Sequence, residues 1–263
     1  MAHSPTFHSP RELVSLGKLT VPELFEWHAR ENPDYPLYRF YDGEKLHNIT
    51  YAQAIIGIRR AARYVKACIP TPQIVGVIAN AGKSSFQCTC QDVRNSRCHV
   101  DTVTYTITQL GILRAGYTMF LISPRNVPAA VADMFRKTGC RHLLLTSDTP
   151  IQSLARAALE EVDGVTVYDM PSFETLIPVD APVKPEEDSV EDLPTDYDKN
   201  SLAMILHSSG KIMLLLYTWE HVIIHLRRFH ESSEAYPLDT QKDDQLDNYS
   251  LYVPILHPRT IAF

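Results

Sequence analysis

Apolar positions recur at two different periods along the chain, and the switches between them predict its elements. From Thr20 the period is helical: Val21, Leu24, Phe25 and His28 share one face, Thr20 and Glu23 have capping-box spacing, and Pro22 suits a first turn. Asn32-Pro33 ends that helix. The β-prone run 37–41, then Asp42-Gly43 and a return to Ile49, reads as a hairpin. A second helix follows Thr50, with Ala54, Ile55, Ile58, Ala61, Ala62 and Val65 as its stripe. Arg59, Arg60 and Arg63 lie beside that stripe, on a flank expected to be solvated.

The middle of the chain alternates. Residues 74–79, 117–122, 142–146 and 165–168 are strand-like, and residues 102–115, 127–138 and 151–161 are helix-like. Gly116 and Gly139 follow two of the helices, where a left-handed cap residue belongs. This alternation predicts an α/β fold, a mostly parallel sheet flanked by helices, whose ligands gather beyond the carboxyl ends of the strands. After Asp169 a proline-rich acidic stretch to Asn200 reads as a surface connection. Residues 201–210, SLAMILHSSG, give one more apolar strand running into small hydroxyl residues and glycine. Beyond Gly210 the alternation is not expected to continue.

One connection is out of character. Strand-to-helix loops in such units take about two to six residues, yet residues 80–101 separate the strand at 74–79 from the next helix. Asp101 is a suitable N-cap for that helix, which isolates residues 82–100 as an atypical insertion. The insertion opens on Gly82-Lys83-Ser84, the ending of a Walker-type phosphate loop. Its spacing fails, because Val77 stands where the first glycine is required.

Composition narrows the picture further. The chain has 263 residues, 44% of them hydrophobic and 21% charged, which is globular usage. A net charge of −6 gives no electrostatic case for nucleic acid. No apolar run reaches membrane-span length, and a cytoplasmic protein is expected. Three of the five cysteines, Cys88, Cys90 and Cys98, crowd beside His99, but their spacing matches no paired zinc knuckle, so free thiols are expected. His221 and His225, one helical turn apart beside Glu220, lack a third ligand. Neither G-x-S-x-G nor G-x-G-x-x-G occurs.

Three segments together resemble the adenylate-forming (AMP-binding, acetyl-CoA synthetase-like) superfamily. They are NITYAQAIIGIRRAARYV, LGILRAGYTMFLISPRNVPAAVADMFRKTG and LAMILHSSG. The wording is nearest to fungal adenylate-forming reductases of the nonribosomal-peptide-synthetase-like group, and the resemblance covers roughly residues 14–81 and 101–210. It implies an incomplete N-terminal subdomain of that fold at 14–210, interrupted at 82–100, and a tail at 211–263 without family counterpart. It further implies ATP with Mg²⁺, a small carboxylic acid as substrate, an acyl-adenylate as product and a carrier domain as a potential acceptor in the full-length gene. Ser208, Ser209 and Gly210 would open the phosphate loop, with His207 just before them, and these four would be the nucleotide-binding residues.

The pattern then breaks. Lys211 stands where Thr or Ser should continue the loop, and no T-G-x-P-K follows. Adenylation by this chain alone is therefore not expected; the alternative is a non-catalytic nucleotide- or partner-binding protein. Both departures start with Gly-Lys, at 82–83 and 210–211. That dipeptide can be encoded GGT AAG, which contains the usual start of an intron. Both segments are accordingly read as unspliced introns.

Overall fold

The computed structural model describes residues 7–41, 46–79, 96–177, 197–207, 214–224 and 261–262. A short helix α1 (Arg11–Ser15) precedes α2 (Val21–Glu31). The capping box at the start of α2 forms as its spacing predicts. Glu23 N–H reaches Thr20 Oγ1 at 3.5 Å, and Thr20 N–H donates to Glu23 Oε2 at 2.7 Å. Strands β1 (Pro36–Tyr41) and β2 (Leu46–Thr50) pair antiparallel as the expected hairpin, and β9 (Ile261–Ala262) lies parallel to β1. Thr50 then caps α3 (Tyr51–Cys68) in a second reciprocal box with Gln53.

The large sheet contains β3 (Ile74–Ile78), β4 (Thr118–Leu121), β5 (His142–Leu145), β6 (Thr166–Asp169), β7 (Leu202–His207) and β8 (Leu214–Thr218). Their order is β6-β5-β3-β4-β7-β8, parallel throughout except for β8. Helices α4 (Ser96–Arg114), α5 (Pro128–Thr138), α6 (Thr149–Leu159) and α7 (Phe173–Leu176) complete the described elements. Strand residues alternate between two cores. Val75, Val77, Met119 and Leu144 join α2, α3 and α4, whereas Ile78, Phe120, Leu143 and Leu145 join α5 and α6. Burial of both faces accounts for the unbroken apolar runs that mark these strands in the sequence. Gly116 (φ 83°) and Gly139 (φ 67°) take the left-handed conformation expected of them.

Two features differ from the sequence expectations. First, α4 begins at Ser96, so Asp101 lies inside the helix rather than at its N-cap. A cap contributes about 1 kcal/mol; it does not stop a helix whose preceding residues continue the hydrogen-bonded spiral. Second, the Arg59 flank is not simply solvated. Arg59 Nη2 lies 2.5 Å from Glu26 Oε2, the same carboxylate is 3.3 Å from the Arg114 guanidinium, and the Arg59 side chain is only 13% exposed. Arg60 donates to the carbonyl of Thr175 at 3.3 Å. These arginines tie α3 to α2, α4 and α7.

Residues 214–224 are also built into the fold. The strand β8 pairs with β7 across Leu202–Thr218 and His207–Leu214, and a helical turn at 219–224 follows. Trp219 is buried and its ring lies 4.6 Å from that of Tyr197. Thr218 and His221 cap this turn reciprocally. His221 N–H reaches Thr218 Oγ1 at 3.3 Å, and Thr218 N–H donates to His221 Nδ1 at 3.3 Å. His221 thus serves as a capping partner; His225, its suggested chelating companion, lies outside the described residues.

Candidate functional site

Five parallel strands end on one side of the molecule, and the connections leaving them define the candidate site. The central one, β3, hands its chain on at Ala79; Gly82-Lys83-Ser84, Cys88 and Cys90 lie outside the described residues. Strand β4 leaves through Ile122-Ser123-Pro124-Arg125-Asn126 into α5, whose first residue is Pro128, a position that needs no N–H partner. The turn is held locally. Asn126 N–H and Asn126 Nδ2 both donate to the Ser123 carbonyl, at 3.2 and 3.0 Å, and Arg125 N–H reaches Ser123 Oγ at 3.3 Å.

His207 is the last residue of β7, and its ring reaches across to that turn. The Ser123 N–H donates to His207 Nε2 at 3.0 Å, and Asn126 Nδ2 lies 3.3 Å from the same nitrogen. The backbone hydrogen-bond ladder between β4 and β7 stops at Phe120–Ile205, so this side-chain contact extends the strand pairing beyond its last rung. Ser208, Ser209 and Gly210 follow His207 directly in the chain but lie outside the described residues. Of the four residues expected at a phosphate loop, the structure therefore describes His207 alone. Ser123 and Asn126 were not anticipated as its partners. Their signal was present in the S-P-R-N turn between a strand and a helix, but nothing local names a histidine 81 residues away.

At the end of β5 a second turn is fixed by Thr146. Its hydroxyl donates to Asp148 Oδ2 at 3.0 Å, and its carbonyl accepts from Gln152 Nε2 at 2.8 Å. Among the described residues no group of three or more His, Cys, Asp or Glu side chains could hold a metal ion, so no residue is assigned to Mg²⁺. Cys140 is buried, and its thiol points at the carbonyls of Ile74 and His142. Burial pushes its pKa up to about 11, which makes it an unreactive core thiol. No helix among the described residues is long and apolar enough to cross a membrane.

A mostly parallel sheet covered by helices on both faces, with its strand exits clustered this way, defines an open α/β domain. The family described as AMP-binding enzyme matches residues 99–210. Adenylate-forming reductase Nps10 of Heterobasidion annosum is 31% identical over 216 residues, 79% of this chain and 18% of that protein. Nps11 of Serpula lacrymans is 27% identical over 74% of this chain and 17% of its own length. Among solved structures, a fatty acyl-adenylate ligase from L. pneumophila in complex with acyl adenylate and pyrophosphate superposes with a TM-score of 0.57. It is 12% identical, over 86% of this chain and 35% of that one. Residues 99–210 match the AMP-binding enzyme family, the chain is similar to adenylate-forming reductases over most of its length, and it spans about a fifth of the length of those curated relatives.

Proposed function

We propose that the chain is the N-terminal part of an acyl-adenylate-forming domain that retains the nucleotide-phosphate end of the site and does not catalyse adenylation by itself. The observation that carries this reading is His207. It ends a parallel strand at the ligand side of the sheet, and Ser208-Ser209-Gly210, the opening of the family's phosphate loop, comes directly after it. In that position serine hydroxyls and backbone N–H groups would face the β- and γ-phosphates of ATP, donors of the kind that stabilise developing charge. ATP would supply the adenylyl group that activates the acid, with pyrophosphate leaving; a small carboxylic acid is the substrate, and a carrier domain of the full-length gene is the acceptor. Lys211 interrupts the loop, and the absence of T-G-x-P-K removes further donors, each typically worth about 3 kcal/mol. A cytoplasmic setting belongs to the same reading.

The test is ATP–pyrophosphate exchange with a panel of carboxylic acids, run beside calorimetric titration of the purified chain with a non-hydrolysable ATP analogue. The expected result is analogue binding without exchange. Measurable exchange overturns the inactivity, and absence of binding overturns the phosphate-site reading. At the gene level, the two Gly-Lys breaks are assigned to unspliced introns. An intact T-G-x-P-K in another frame downstream of codon 210 supports this, and transcripts that only ever run contiguously through both segments refute it.

A further inference from the structure

A neutral imidazole has one N–H and one lone pair, and its partners reveal which nitrogen carries which. Two donors from the β4–α5 turn converge on His207 Nε2, the Ser123 backbone N–H at 3.0 Å and the Asn126 amide nitrogen at 3.3 Å. A proton on Nε2 would face both of them, so Nε2 is the acceptor and the proton sits on Nδ1. The Asn126 amide in turn holds the Ser123 carbonyl, so the backbone of one residue and two side chains form a closed three-residue lock. Strands β4 and β7 are adjacent and parallel, and the lock joins them just past their last shared backbone rung at Phe120–Ile205.

We propose that His207 is a positioning residue and not a phosphate ligand: its Nε2 lone pair, taken by Ser123 and Asn126, fixes where the chain leaves β7 relative to the start of α5. The inference builds on the phosphate-site reading above. It changes the role of His207 from a group that touches the nucleotide to one that sets the exit of the segment that does. A lysine or arginine at this position could neutralise phosphate charge but could not accept these two hydrogen bonds. A glutamine could, because its Oε1 sits at the same reach from the backbone as Nε2.

The experiment compares the full chain with His207→Gln and His207→Leu. Three readouts apply: the ¹⁵N signals of the His207 ring at neutral pH, the exchange rate of the Ser123 amide proton, and titration with a non-hydrolysable ATP analogue. The wild-type ring should show a protonated Nδ1 and a bare Nε2. His207→Leu should speed Ser123 exchange roughly three- to tenfold, the span of one lost hydrogen bond, and weaken the analogue several-fold, and His207→Gln should restore both. A protonated Nε2, or Ser123 exchange unchanged in His207→Leu, overturns the lock. Faster exchange with identical affinities in all three proteins overturns the positioning role. No binding by the wild type overturns the phosphate-site reading and the positioning with it, while the ring signals and exchange rates still judge the lock separately. If His207→Leu does not fold, the wild-type ring signals alone decide the tautomer on which the proposal rests.

Discussion

Gly111→Ala should destabilise the chain, although helix propensity taken alone says the opposite. Gly111 lies inside α4 where that helix crosses α3. A β-carbon built there would stand 2.4 Å from the Ala61 Cβ, 2.9 Å from the Ala62 backbone nitrogen and 3.0 Å from the Ala61 carbonyl carbon. Carbon atoms pack best at about 3.5–4.0 Å, so the helices must part by more than an ångström. No flexible side-chain end can absorb that shift, because two of the three neighbours are backbone atoms. A gap of about 0.5–1 Å already forfeits a quarter to a half of each dispersion contact along the crossing, and overpacked cores lose about 1–3 kcal/mol. Against this, alanine gains about 1 kcal/mol over glycine in a helix interior. The 2.4 Å approach is the shortest at any of the described glycines, so the upper part of the overpacking range applies and the net loss is about 1–2 kcal/mol. Urea unfolding followed by the fluorescence of Trp27 and Trp219 measures it. Ala61→Gly in the Gly111→Ala background removes the 2.4 Å contact and should recover part of the loss, a favourable coupling in a double-mutant cycle. A neutral or stabilising Gly111→Ala, with unchanged dependence on urea, would refute the reasoning.

Three further outcomes follow from named contacts. Glu26→Ala removes the carboxylate that pairs with both Arg59 and the 3%-exposed Arg114, and should cost about 2–3 kcal/mol by the same unfolding assay; a loss under half of that would mean the pair is solvent-screened. His142 donates from Nε2 to Gln73 Oε1 at 3.1 Å and accepts the Tyr168 hydroxyl at Nδ1, 3.2 Å away, and burial lowers its pKa below the ordinary value of 6.5. The unfolded chain therefore takes up the proton first, so the His142 contribution is intact above pH 6.5 and is lost as pH falls through the folded-state pKa. His142→Gln should flatten the stability-versus-pH curve below 6.5, and an unchanged slope would contradict the assignment. Cys140, with its thiol pushed up to about 11, should remain unalkylated by iodoacetamide at pH 8 in the native chain while the half-buried Cys68 reacts, as read peptide by peptide by mass spectrometry. Equal labelling of the two would show that the Cys140 pocket opens freely.

What could be read from the sequence was what neighbours decide. Thr20 with Glu23 and Thr50 with Gln53 sit three residues apart, and both boxes form. Gly116 and Gly139 announce their left-handed turns by being glycine after an apolar stripe. Spacing failed wherever the deciding partner was distant. Arg59 looked solvated because its carboxylate is 33 residues earlier, on another helix. The turn after β8 escapes the pattern for a different reason: its capping pair of Thr218 and His221 has the right spacing but uses an imidazole in place of Glu or Gln. The candidate site shows the limit most sharply. The resemblance selected His207 by its place in a motif and so implied a role beside the nucleotide. The structure spends its Nε2 on Ser123 and Asn126, from a segment 81–84 residues earlier. A motif identifies a position in a fold; the contacts of the side chain decide whether it touches the ligand or holds in place what does.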